Sequence, residues 1–493
     1  MEAKSSIKLN SILNIILSAS AVLLSLVTYP YLTRVLKPSG VGTISFVRSV
    51  VSYFTLFAEL GMPLYGMRAC AKVKDNEALL ADTVSELLSI NISAHVVVAS
   101  VLALTVAIIP QFRTSWVLFL VLGLAMLIDC VNPVWLFRGI ERYVFVTAMS
   151  IGGKIFTALG IFLLVKSESD TFIYACVLAG CAAICSIADF LYMKVKVISK
   201  LPKLKRPQIS KHLKPVMIFF LMSCATTLYI NMDVVMLRLI KGQAEVGYYD
   251  VGLKVKTILN SISASLWTVA LPRATGHWDS GDKKSAEDFI KKLLHVLYTI
   301  EFPLALFFIA FSDSAVMFLG GADYTEARIP MIFVLLSVFA IAIGNVISGE
   351  VLVSNGKEKI VLYSEITGVV VNLLLNYILI MKYSVLGAAI ATLVTETLVT
   401  LIQLTYSKVS LKLALWDSKN ILLPLSATIL GILASIWVER LNILAFFKLA
   451  IGGCIFAIVY AIIMLLFKDE IVTDIFDTVI SVIKKVFLRK NPN

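Results

Sequence analysis

The sequence predicts an all-α membrane protein of about fourteen transmembrane helices, and three observations predict it. Apolar residues make up 59% of the 493 residues and charged residues only 15%, with a mean hydropathy of +0.90. A soluble chain of this length needs far more polar surface. Apolar runs of about 20 residues, the length a helix needs to cross hydrocarbon, recur from one end to the other. None alternates in the manner of barrel strands, and a helix satisfies its own backbone in lipid.

The runs fall at 9–33, 41–67, 82–109, 115–136, 143–165 and 171–193. They resume at 214–240, 246–271, 288–319, 328–353, 360–381, 385–406, 420–438 and 445–467. The first run is long and has no small-residue cleavage site, so it reads as a retained helix and not a signal peptide. Connections stay below about 20 residues, which leaves no room for a soluble catalytic domain. There is no Walker A loop. The chain is expected not to be an enzyme. Seven cysteines (70, 130, 176, 181, 185, 224, 454) sit mostly inside apolar runs without histidine partners, so they read as small buried hydrophobes and no metal site is expected.

Two loops carry nearly the same text. One reads Arg34-Val-Leu-Lys37-Pro-Ser-Gly-Val41-Gly42, the other Arg238-Leu-Ile-Lys241-Gly-Gln-Ala-Glu-Val246-Gly247. A second pair, Gly139-Ile-Glu141-Arg142 and Gly356-Lys-Glu358-Lys359, follows in the same order. Together they predict a duplication: a six-helix lobe at 1–200 and another at 201–410, the latter opening on a basic connector. An even number of helices per lobe makes the lobes parallel repeats around a central cavity. Helices 13 and 14 (411–467) lie outside the duplication. In the tail (468–493), Ile471, Ile475, Val479, Val482 and Val486 repeat at helical spacing, which predicts an amphipathic, basic helix lying on the membrane.

Charge position sets orientation. With fourteen spans, 30 of the 44 Lys and Arg fall on the side of the N-terminus, 10 on the far side and 4 within spans. Eight lie between Lys194 and Lys214. Basic loops stay in the cytoplasm, so both termini are expected there. No aromatic interleaving accompanies these charges, and no nucleic-acid partner is expected. Membrane lipid accounts for them.

Charges inside the bilayer are expensive and normally face a cavity or a partner. Arg48 follows Gly42 by about 9 Å along a helix axis, and Lys254 follows Gly247 to nearly the same depth. Arg48, Ser52, Thr55 and Glu59 share one helical stripe; Asp250, Lys254, Thr257 and Ser261 share another. Asn14 and Ser18 add a polar face to the first span. Lys154 is a further interior cation. Arg48, Lys154 and Lys254 are therefore expected to bind an anionic group, with Asp233, Asp250 and Glu59 tuning them or coupling to an ion. Arg34 and Arg238 would stand at the cavity mouth. The competing reading is internal neutralisation, most plainly between Asp250 and Lys254 at i,i+4. Lys256 points away from Lys254 and is expected to pack between helices, while Asp129, Glu301, Glu365 and Glu396 are ambiguous.

The chain resembles the multidrug/oligosaccharidyl-lipid/polysaccharide exporter superfamily, and within it the Wzx-type polysaccharide flippases. The resemblance rests on Tyr29-Pro-Tyr-Leu-Thr-Arg34, Val41-Gly42, Glu59-Leu-Gly61, Asn132-Pro133-Val-Trp135-Leu-Phe-Arg138-Gly139-Ile-Glu141-Arg142, Asp233-Val-Val-Met-Leu and Val246-Gly247-Tyr248, and spans about residues 9 to 467. Arg138 stands where the family commonly has Gln. The resemblance implies alternating-access transfer of an undecaprenyl-pyrophosphate-linked oligosaccharide, such as an O-antigen repeat unit, from the cytoplasmic to the outer leaflet of a bacterial inner membrane. It also implies a polysaccharide polymerase and a chain-length regulator as partners. No cofactor is expected beyond a coupling ion, Na+ or H+. The alternatives are a flippase for the peptidoglycan precursor lipid II and, with less support, a drug/cation antiporter, whose cavity should be acidic. A glycosyltransferase or polymerase would carry a large loop or soluble domain that this chain lacks.

Overall fold

The computed structural model describes residues 7–198, 210–279, 283–407 and 418–488. Every apolar run predicted from sequence is helical. The first two form α1 (Ile7–Glu59), continuous except at Lys37, whose φ of 59° breaks it into two spans. Then come α2 (Met62–Val73), α3 (Glu77–Ile108), α4 (Trp116–Ile128), α5 (Val134–Gly139), α6 (Tyr143–Leu164) and α7 (Thr171–Lys196). After the connector follow α8 (Ser210–Ile240), α9 (Gln243–Asp279), α10 (Lys283–Val296), α11 (Phe302–Ala310), α12 (Ser312–Leu319) and α13 (Arg328–Val346). Next is α14 (Glu358–Ser407), broken at Ser384 (φ 52°). The chain closes with α15 (Ser418–Ser435), α16 (Ala445–Leu466) and the tail helix α17 (Glu470–Leu488). Two π-helical turns, Leu297–Glu301 and Ile347–Val353, interrupt the spans around α10–α11 and after α13.

By packing, the chain forms two compact units, Met1–Asp250 with Val369–Ala388, and Val251–Gly368 with Ala389–Asn493. In the first unit, Phe46 sits at zero exposure against Phe112 and Phe119, which stack at 5.2 Å. A second core joins Met62, Cys70, Leu87, Trp135, Leu136 and Phe137. In the second unit, one core gathers Leu294, Ile347 and Leu352, and another gathers Phe307, Phe311, Phe456 and Met464. Cys70 is buried, whereas Cys454 is exposed on α16 and departs from the expected buried role.

The duplicated loops are close-packed within the first unit. A Cβ on Gly42 would fall 1.9 Å from the Gln243 carbonyl oxygen, and one on Gly247 would fall 2.2 Å from the Pro38 carbonyl oxygen. Glycine is required at both positions because another backbone occupies the side-chain space.

The second repeated landmark is a turn, and its geometry corrects the register. Arg142 N–H donates to the Phe137 carbonyl at 2.8 Å, and Lys357 N–H donates to the Leu352 carbonyl at 2.8 Å. Both are six-residue helix-terminating bonds around a left-handed residue. That residue is Glu141 (φ 63°) in one case and Gly356 (φ 68°) in the other. The turn therefore pairs Glu141 with Gly356, two residues away from the pairing that the text alone gives.

The Trp135–Arg142 motif has a packing role. A Cβ on Gly66 of α2 would meet the Trp135 ring at 2.8 Å, and one on Gly139 of α5 would meet the Met67 carbonyl oxygen at 2.7 Å. Glu141 pairs with Lys74 at 2.7 Å across the turn. The motif locks α5 onto α2.

Candidate functional site

The second half of α1 presents Arg48 as an exposed side chain between buried Val47 and Ser49. Among the described residues Arg48 makes no hydrogen bond or ion pair. Beside it, Asp250 is held by two donors from α1: Tyr29 Oη at 2.8 Å and Ser45 Oγ at 2.5 Å. Tyr174, buried on α7, lies in the field of both Arg48 and Asp250. The carboxylate is therefore hydrogen-bonded to α1 by neutral groups, one turn from the cation. The guanidinium keeps its donors for a further acceptor.

Asp233 is 6% exposed and receives Tyr249 Oη at 2.7 Å and Asn376 Nδ2 at 2.6 Å. Asn376 also donates to Asn372 Oδ1 at 2.8 Å, one turn back on α14. Two side-chain donors thus satisfy this buried carboxylate. Sequence reasoning found Asp233 but missed Tyr249, Asn372 and Asn376. The i,i+4 asparagine pair in an apolar run was the available signal.

The remaining expected residues are distributed as follows. Lys154 on α6 and Lys254 on α9 are both half-buried; Lys154 lies in the first unit and Lys254 in the second. Lys256 reaches Glu396 at 3.9 Å, which gives Glu396 a structural role and puts Lys256 between helices as expected. The hydroxyls of the expected polar stripes are turned onto their own helices. Ser52 bonds the Ser49 carbonyl, Thr55 that of Val51, Thr257 that of Leu253 and Ser261 that of Ile258. Such back-bonding lets a hydroxyl sit in an apolar span without a ligand. The side chains of Asn14 and Ser18 lie outside the described residues.

Arg34 folds back to the Pro30 carbonyl at 2.6 Å, and Arg238 lies over the Phe46 ring at 5.6 Å. Both are tied to the loops that close on each other at Gly42 and Gly247. Lys241, on the second of these loops, donates to the Met381 carbonyl at 2.9 Å, just before the Ser384 break. Glu59 lies apart from Arg48, in the field of Asp129.

Comparison with known proteins gives a consistent picture. Residues 8–276 match the family described as polysaccharide biosynthesis protein, and residues 219–378 match the MatE family. The chain is 24% identical over 404 residues to a putative O-antigen transporter of Escherichia coli K12, covering 82% of this chain and 97% of that one. It is 25% identical over 186 residues to a probable low-salt glycan biosynthesis flippase of Haloferax volcanii, covering 37% and 39% respectively. Among solved structures, the lipid II flippase MurJ in an inward closed conformation superposes with a TM-score of 0.69 at 15% identity, covering 93% of this chain and all of that one. An inward-facing multidrug-resistance MATE transporter superposes with a TM-score of 0.63 at 14% identity, covering 81% and 97%. At these identities the two structures speak to the fold alone.

Proposed function

The chain belongs to the polysaccharide biosynthesis protein family, and from that premise we propose that it is a flippase for a lipid-linked glycan. The substrate is an undecaprenyl-pyrophosphate-linked oligosaccharide of the O-antigen type, moved from the cytoplasmic to the outer leaflet by alternating access of two six-helix repeats. The protein is a multi-pass membrane protein; its place in the bacterial inner membrane with both termini cytoplasmic belongs to the same proposal, supported by the bias of Lys and Arg. A polymerase and a chain-length regulator would act on the product.

The observation that carries this reading is Arg48, exposed in the middle of an apolar span while the neighbouring Asp250 is bonded to Tyr29 and Ser45. A pyrophosphate entering low dielectric loses its hydration, and a guanidinium with free donors replaces it. Lys154 adds positive charge in the same unit, and Lys254 supplies a cation in the second unit. Asp233 and Asp250 tune that field, and inward movement of Na+ or H+ drives the cycle.

The test is complementation of a deletion strain. Arg48→Ala and Lys254→Ala should abolish surface polysaccharide while the protein is still inserted at normal levels. Normal surface glycan with both variants would remove the cationic site. Loss of viability on deletion, instead of an altered surface glycan, would point to the peptidoglycan precursor as the substrate.

A further inference from the structure

The first unit holds a second polar centre, away from Arg48. Asp129 ends α4 on a 3-10 turn, just before Asn132-Pro133 breaks the span. Ser186 Oγ donates to Asp129 Oδ1 at 2.7 Å, and Asn132 Nδ2 donates to the same oxygen at 2.9 Å. One turn past Ser186 stands Asp189, 4% exposed, with an Oδ1 that has no hydrogen-bond partner. His95 of α3 is 1% exposed; its Nδ1 meets the Asn91 carbonyl at 2.8 Å and its Nε2 has no partner. Asp189, His95 and Glu59 all lie in the field of Asp129.

The packed elements supply the rest of the charge environment. Glu59 comes from α1, His95 from α3, Cys130 from beside Asp129, and Cys185 from one turn before Asp189. On α6, Gly153 faces Cys185 Sγ, where a Cβ would stand at 2.7 Å, and the next residue is Lys154. None of Glu59, Asp129 and Asp189 makes an ion pair among the described residues. Carboxylates without cations in a membrane interior are costly.

The duplication provides an internal comparison. Asp129 and Gly344 stand equally far before the matched turns at Arg142 and Lys357. Ser186 and Asp189 stand as far into α7 as Thr400 and Gln403 stand past Val385, where the second span of α14 starts. In the second unit those three residues also meet: a Cβ on Gly344 would lie 2.7 Å from Thr400 Oγ1 and 3.6 Å from Gln403 Oε1. The same helix packing is thus made there by neutral groups. The acids of the first unit answer to something other than packing.

We propose that Asp129, Asp189 and His95 form a proton-binding site, which takes one proton from water at the unpartnered Asp189 Oδ1 or His95 Nε2. A proton removes one buried charge and supplies the hydrogen that Asp189 Oδ1 and His95 Nε2 have no donor or acceptor for. On the transporter reading above, this proton is the coupling ion, and its release and rebinding accompany the change of access.

The test uses the full-length protein in liposomes and dicyclohexylcarbodiimide, which modifies protonated carboxyl groups in apolar surroundings, with the modified residue found by mass spectrometry. Labelling at Asp189 should fall as pH rises between about 5 and 8 and be indifferent to Na+. Asp129→Asn should move the midpoint of Asp189 labelling by about one pH unit or more. No labelling of Asp189 across that range overturns the proposal, and so does competition by Na+ at fixed pH, which would make this a sodium site. In flipping assays, Asp189→Asn should lose stimulation by a pH gradient, and wild-type stimulation in that variant overturns the coupling role. Labelled Asp189 in a protein that moves no lipid-linked glycan would fail the flippase reading and leave the proton site standing.

Discussion

Gly42 and Gly247 bring the two copies of one repeated sequence into backbone contact, each occupying space where the other loop leaves no room for a Cβ. The contact explains why the Val-Gly pair recurs in both halves. It also ties the segments bearing Arg34 and Arg238 together, at the Lys37 break of α1 and the end of α8.

Alanine at either glycine should push the loops apart. The expected cost is about 1–3 kcal/mol, that of overpacking a tight contact. Thermal denaturation in detergent measures it. If the loops separate during transport, Gly247→Ala should also lower surface glycan more than it lowers protein level.

Arg48→Lys separates charge from geometry. Lysine keeps the positive charge but not the planar fork that matches a phosphate. Loss of one charged hydrogen bond, about 1.5–3 kcal/mol, corresponds to roughly ten- to hundredfold in headgroup affinity. Surface glycan should be reduced in Arg48→Lys and absent in Arg48→Ala. Equal loss in both would place the recognition in the fork alone.

Tyr249→Phe should destabilise the first unit by leaving Asp233 short of a donor. A buried acceptor deprived of its partner costs about 1–3 kcal/mol. Asn376→Leu should cost a similar amount, and the double variant less than the sum, because both act on one carboxylate. Additive losses would show that the two donors serve different groups.

The tail helix carries a pH dependence of known sign. Asp469 caps α17 through the Ile471 and Val472 N–H groups and meets His295 Nε2 at 2.6 Å. Burial opposes its ionisation, but the His295 and backbone hydrogen bonds outweigh it and hold the carboxyl below its usual value. A carboxyl with a depressed folded value stabilises above its unfolded value, near 3.9, and loses that contribution as pH falls through the folded value. Docking of α17 should therefore persist at neutral pH and weaken only in strong acid. Asp469→Ala should cost about 0.5–2 kcal/mol, the range for a lost helix cap. Hydrogen exchange of α17 amides would report both effects.

The charged residues of the candidate site were legible in sequence because ionisable residues are conspicuous in apolar runs. Arg48, Asp233 and Asp250 stand out for that reason. Their partners were not legible, since a tyrosine or asparagine in such a run looks like ordinary packing until another helix places a carboxylate against it. The competing reading, neutralisation of Asp250 by Lys254, shows the limit. Spacing on one helix allowed it, but Tyr29 and Ser45 from α1 take the carboxylate. Asp129 was ambiguous for the same reason, because its company comes from α1, α3 and α7.

The sequence by itself determined the spans and the two breaks near Lys37 and Ser384, because length and apolarity alone decide what crosses a bilayer; it also carries a repeated text. Tertiary structure decided the register of that repeat, where the turn geometry pairs Glu141 with Gly356. It also decided which charges are bonded and which are left open. Hydropathy is a property of one segment, whereas a hydrogen bond to a buried carboxylate needs two segments brought to one place, and only packing brings them there.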